Sequence, residues 1–154
     1  MGMDTLQPAI ALMIWTMIIW AWMYVTRIPA MQKAQIDPDD ARIAGVLEQK
    51  LPQSVQWKSH NYNHLHEQPT VFYAVAIVLA IIGHGDGMNA LFAWLYVLIR
   101  VAHSLVQVTA NKVIVRFVLF ALSSVILIVL IANAALVVFG AGSVLQGEGI
   151  VQAG

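Results

Sequence analysis

The sequence predicts an all-α integral membrane protein built as a bundle of four transmembrane helices, and three observations carry the prediction. The 154-residue chain is 60% hydrophobic and only 10% charged, with a mean hydropathy of +0.75, whereas soluble domains average about 45–50% apolar and about 25% charged residues. Four stretches are apolar over the roughly 20 residues that a helix rising about 1.5 Å per residue needs to cross about 30 Å of hydrocarbon. Lysine and arginine sit almost wholly in two of the connections between those stretches, which is the distribution that insertion into a membrane imposes.

The first span covers about 8–27 (PAIALMIWTMIIWAWMYVTR), and no lysine or arginine precedes Arg27. It therefore lacks the basic region of a signal peptide and reads as a retained helix. Trp20, Trp22 and Tyr24 near its end fit an interfacial aromatic belt. In the connection that follows, Asp37-Pro38-Asp39-Asp40 offers an N-cap, a proline at the first helical position and acids in the first turn, predicting a short surface helix over 38–50. Leu51-Pro52 ends it. A second long helix then runs over 53–83, with a cytoplasmic extension ahead of its apolar part and a kink at Pro69. The HGDG turn (84–87) leads to span three at 89–110, and span four occupies 116–139. Ser123, Ser124 and Asn133 on span four read as helix-packing groups. Residues 140–154 form a glycine-rich, flexible tail. The whole chain, 1–154, is one membrane domain without internal repeats.

Lys33, Arg42, Lys50 and Lys58, with Arg27 at the border, place residues 28–58 in the cytoplasm, and Lys112 and Arg116 place 111–116 there. Both termini and the HGDG turn, free of lysine and arginine, fall outside. The formal net charge is zero, which gives no electrostatic reason to expect a nucleic-acid partner. No cysteine is present, so any thiol chemistry must use a thiol carried by the substrate.

The chemistry concentrates in WKSHNYNHLHEQP, residues 57–69, at the mouth of the second apolar run. His60, Asn63, His64 and Glu67 share helical spacing within an arc of about 100°, while Tyr62 and His66 point elsewhere. Span three carries a matching stripe of Tyr96, Arg100, His103, Gln107 and Asn111 within about 80°. Two polar faces in lipid must meet each other or water. Arg100, charged at any ordinary pH, needs a partner, and Glu67 is the acidic residue nearest the spans. Glu67 lies about 24 Å and Arg100 about 16 Å from the shared outer turn, a gap that a long side chain spans, so Glu67 is expected to meet Arg100 and His103. A buried ion pair that only fixes register is one reading; a water-filled pocket opening to the cytoplasm accounts for more of the polar groups. A third reading gives His60, His64, Glu67 and His103 to a metal, or His64 or His103 to haem.

These residues resemble the MAPEG family, the membrane-associated proteins in eicosanoid and glutathione metabolism. The resemblance covers about 10–140: His64-Leu65-His66-Glu67 with the EQPTVFY run, Arg100-Val101-Ala102-His103, Arg116 sixteen positions beyond Arg100, and the DPDDA loop. It departs from the family at His60 (commonly Arg), His64 (commonly Asn) and Gln107 (commonly Tyr), and it is nearest to a bacterial branch, implying the bacterial inner membrane. The resemblance implies a homotrimer with glutathione between subunits near the cytoplasmic face. Arg116 would then be catalytic, stabilising the thiolate. Arg27, His60, Asn63, His64, Glu67, Arg100, His103 and Gln107 would bind glutathione. The implied activity is a glutathione-dependent transferase or peroxidase acting on a lipophilic electrophile that arrives through the lipid; a non-catalytic trimeric scaffold or accessory subunit is the alternative.

Overall fold

Six helices follow one another along the described chain: α1 (Leu6–Lys33), α2 (Val46–Lys50), α3 (Gln53–His64), α4 (Gln68–Ile81), α5 (Gly87–Thr109) and α6 (Val113–Val151). The computed structural model describes residues 2–37, 39, 42–43 and 45–151, and of 141–151 the helical backbone only. The predicted surface helix over 38–50 is observed over Val46–Lys50; Pro38, Asp40, Ala41 and Ala44, on which its expected start falls, lie outside the described residues. No strand occurs among the described residues.

Among the described residues three helices are long and apolar enough to cross a membrane: Leu6–Lys33, Gly87–Thr109 and the Val113–Gly140 part of α6. Large apolar side chains stand fully outward on them, as Ile114 (79% exposed) and Phe139 (77%) do, a cost in water and a requirement in lipid. The expected single helix over 53–83 is instead two, α3 and α4, with Leu65, His66 and Glu67 between them. The 14 residues of α4 rise about 21 Å. The predicted tail is helical to Val151, because a helix already nucleated in span four extends at the cost of fixing one residue per bond, even through scattered glycines.

The helices pack as a bundle in which α5 lies along α6, α1 crosses α3 and α5, and α4 fills the space between α1 and α6. The core is drawn from all the long elements: Leu12 and Ile19 of α1, Phe72 and Leu79 of α4, Tyr96 of α5 and Leu130 of α6 are 0% exposed. Phe72 stacks on Tyr96 with ring centroids 4.4 Å apart. Ser124 and Asn133 of span four tie helices together, accepting from Gln68 (2.7 Å) and donating to Asn89 (2.7 Å) respectively, whereas Ser123 donates to Phe120 C=O within its own helix. At the HGDG end, Thr5 N–H donates to Gly85 C=O (2.8 Å) and its hydroxyl to Ala76 C=O (2.9 Å), and the backbones approach so closely that a Cβ at Gly85 would collide with the Gly2 carbonyl. At the opposite, lysine- and arginine-bearing end, Lys58 Nζ lies 5.5 Å above the Trp22 ring, and burial holds its ammonium below the usual lysine range. Trp20 and Tyr24, in edge contact at 5.1 Å, remain exposed on α1.

Candidate functional site

The site is shaped by one interruption. Pro69 falls within the first two positions of α4. It has no N–H to give the carbonyl one turn back, and its ring crowds that carbonyl. The chain therefore does not kink as the sequence predicts but opens, with Glu67 at φ −89°, ψ −101°. Proline costs nothing in the first helical turn, where N–H groups lack partners anyway. Thr70 completes the joint by donating its hydroxyl to Glu67 C=O (2.6 Å). Arg100, 1% exposed, reaches into the opening and donates from Nη2 to His64 C=O (3.3 Å).

The expected single polar wall is two clefts, because His60 and Asn63 line one and His64, on the same helix α3, lines the other. The first, about 360 Å³, is lined by Arg27 of α1, Glu48 of α2, and Gln56, Ser59, His60 and Asn63 of α3. Arg27 Nη1 donates to Ser59 Oγ (2.9 Å), and Gln56 ties α2 to α3 through the carbonyls of Glu48 and Leu51. The second, about 220 Å³, is lined by His64, His103 and Arg116 with Val113, Phe117 and Phe120. Its rings are layered: His64 lies 5.6 Å from Phe120 at 27° and 5.2 Å from His103, and the Arg100 guanidinium sits 5.7 Å from the Phe120 centroid behind them. Arg116 Nη1 donates to Asn111 Oδ1 (2.7 Å). Asn111 holds that position in the left-handed region, φ 48°, which asparagine tolerates better than most residues.

The expected meeting of Glu67 with Arg100 and His103 is not what pairs the carboxylate. Glu67, its side chain 64% exposed, bonds His64 Nδ1 instead (2.6 Å). Glu67 sits at the joint between α3 and α4, three residues beyond His64, and its exposed side chain pairs with that near neighbour and not across the bundle. Gln107 also departs from expectation. Buried at 3% exposure, it accepts from Asn61 Nδ2 (2.8 Å), while Ser104 Oγ donates to Asn61 Oδ1 (2.5 Å). Neither cleft includes Gln107. Asn61 and Ser104, both 0% exposed, were not singled out by the polar spacing. A signal was present: stepping one turn back from buried Leu65, or one turn forward from Arg100, reaches them on the packed faces.

Of the residues expected to bind glutathione, then, Arg27, His60 and Asn63 share the first cleft, and His64 and His103 share the second with Arg116. Arg100 lies behind the second cleft, Glu67 at its edge, and Gln107 in the helix interface. This division also disperses the proposed metal ligands: no group of three or more His, Asp or Glu side chains converges among the described residues. What converges is cationic demand. Arg100 Nε and Nη1 and Arg116 Nε are buried without a hydrogen-bond partner among the described residues, and such groups favour an anion within reach.

A family model described as the MAPEG family matches residues 5–136, spanning α1 to most of α6. No curated protein and no solved structure matches the chain. With most of its length covered by that match and three helices of membrane-crossing length and composition, the chain belongs to the MAPEG family and is an integral membrane protein.

Proposed function

We propose that the protein is a membrane-embedded glutathione-dependent transferase or peroxidase acting on lipophilic electrophiles, and that it works as a homotrimer. In this reading α4, entered from the cytoplasmic side through α3, supplies the second span, and the first cleft of one subunit faces the second cleft of the next. Arg27, His60 and Asn63 then receive the charged and amide groups of the tripeptide, and the thiol end lies in the second cleft.

The observation that carries the reading is the make-up of the second cleft: a fixed guanidinium, Arg116, beside two imidazoles and against an apolar wall of Val113, Phe117 and Phe120. A thiolate is the nucleophilic form of a thiol, and a fixed positive charge at the sulfur favours it. Exposed Phe117 and Val113 (70% and 72%) offer a lipid-side approach for an apolar partner. The unpaired nitrogens of Arg116 and Arg100 fit a site that takes an anion. In the transferase reaction the thiol gives up its proton, sulfur bonds the electrophilic carbon, and the leaving group departs with its electron pair.

The test is thermal stability of purified protein with and without millimolar glutathione, since a ligand selective for the folded state at ten times its Kd adds about 1.4 kcal/mol. Wild type should be stabilised, and Arg116→Ala should keep most of that shift while losing turnover of model electrophiles. Absence of any shift in wild type would refute the glutathione reading.

A further inference from the structure

We propose that His64 is the general base that takes the thiol proton and that Glu67 is a positioning residue fixing its tautomer, an inference that rests on the glutathione reading above. Glu67 Oε2 lies 2.6 Å from His64 Nδ1. An ionised carboxylate only accepts hydrogen bonds, so Nδ1 carries the hydrogen, and neutral His64 presents a lone pair at Nε2 on the far edge of the ring. The ring is fixed on three sides: stacked on Phe120, set against His103, and anchored through its own carbonyl by Arg100. It lines the same cleft as Arg116.

The other groups of the cleft are less suited to the task. Arg116 does not release its proton in proteins. His103 also lines the cleft, but it is 2% exposed and no carboxylate bonds its ring among the described residues. His64, at 22% side-chain exposure, joins an oriented nitrogen to an accessible position. Charged and titratable groups reach His64 from every element around it: Glu67 from the joint, Arg100 and His103 from α5, Arg116 from α6, and His60 one turn back on α3.

The step balances without another reactant. The S–H bond breaks, the proton passes to His64 Nε2, and the electron pair stays on sulfur beside Arg116. The carboxylate of Glu67 stabilises the imidazolium so formed. Sulfur then bonds the electrophilic carbon, and the leaving group departs with its pair and collects the proton from Nε2. His64 and Glu67 stand three positions apart, a spacing that brings side chains together.

The experiment uses the full-length protein in lipid nanodiscs with glutathione, following thermal stabilisation, ultraviolet thiolate absorption, and kcat/KM against pH for a model electrophile. His64→Gln keeps a polar side chain that takes no proton. It should retain glutathione stabilisation while kcat falls about 10²- to 10⁴-fold, the usual range for losing a general base. Glu67→Gln removes the fixed acceptor at Nδ1, so kcat should fall about tenfold with glutathione stabilisation kept, and Glu67→Asp, which restores a carboxylate acceptor, should return kcat towards wild type. Wild-type kcat and profile in His64→Gln would overturn the base, as would loss of glutathione binding in that variant, which would make His64 a ligand contact. Wild-type kcat in Glu67→Gln, or no recovery in Glu67→Asp, would overturn the positioning role. If wild type neither binds glutathione nor turns over, the function reading fails and this one with it. If wild type does both while the variants match it, only the dyad fails.

Discussion

Replacing Asn61 with alanine tests the packing logic that divides the polar face of α3. Asn61 is 0% exposed and makes two interhelical hydrogen bonds, donating to Gln107 Oε1 at 2.8 Å and accepting from Ser104 Oγ at 2.5 Å. Truncation strands both partners, which are themselves buried at 3% and 0% exposure. Orphaning a buried polar group costs about 1–3 kcal/mol in soluble proteins, but interhelical bonds in membrane bundles average about 0.6 and reach about 1.7 kcal/mol. The Ser104 hydroxyl can turn to the carbonyl four residues back, whereas the Gln107 amide has no such local substitute. Weighing these gives about 1–3 kcal/mol for Asn61→Ala and about 0.5–1.5 kcal/mol for Ser104→Ala. Equilibrium unfolding in mixed detergent micelles measures both. The double variant Asn61→Ala/Gln107→Ala should cost less than the sum of the singles, because the second truncation removes a group already stranded. His60→Ala, at an exposed position one residue earlier, should stay within about 0.5 kcal/mol of wild type. An Asn61→Ala variant as stable as wild type, or a His60→Ala variant that costs as much, would refute the assignment of the buried face.

Two other substitutions separate ligand contacts from scaffold. Arg27→Ala removes a half-buried guanidinium whose partner, Ser59, is left able to reach water, so stability should change by less than about 0.5 kcal/mol while the KM for glutathione rises about tenfold with kcat kept, the signature of lost uniform binding. Gly85→Ala should instead destabilise by about 1–3 kcal/mol, the cost of overpacking, because the new Cβ meets the Gly2 carbonyl and lies 2.7 Å from Thr5 Oγ1; thermal unfolding reports it, and glutathione affinity should not change.

Composition and hydropathy made the membrane helices legible because lipid tolerates few exceptions: α1, α5 and the Gly140-bounded part of α6 stand close to the predicted spans. The buried stripe of α5 was legible for the same reason, since Tyr96, Arg100, His103 and Gln107 at helical spacing are all 3% exposed or less. Side-chain partners were not. Helical spacing states which residues share a face but not whether that face meets a neighbour, and on α3 the face chosen for its polarity (His60, Asn63) is exposed while Asn61 is buried. A polar residue is equally at home at a wet surface and in a paired interface, so polarity alone does not distinguish the two. Pro69 predicts a kink because a proline inside a continuous apolar run usually bends the helix it interrupts; that the chain restarts at Gln68 instead draws on a partner for the freed His64 carbonyl, Arg100, which lies 36 residues away.

The break and the buried arginine explain each other. Were α3 and α4 continuous, the carbonyl of His64 would be committed to the N–H of Gln68, and Leu65 would face a proline with nothing to donate. Opening the chain at Leu65–Glu67 leaves the His64 carbonyl to a weak local contact with Glu67 N–H at 3.4 Å, and Arg100 takes it at 3.3 Å. A guanidinium inside a bundle must find oxygen atoms, and the carbonyl released by the break serves Nη2 while Nε and Nη1 stay without a partner among the described residues. Glu67 bonds His64 and not Arg100. A carboxylate bound to Arg100 would be a register lock and little more; a carboxylate at the edge of the bundle, 64% exposed and bonded to His64, is free to respond to a change in that ring's charge. The same proline therefore sets where the second helix divides and which carbonyl is free for Arg100 to take.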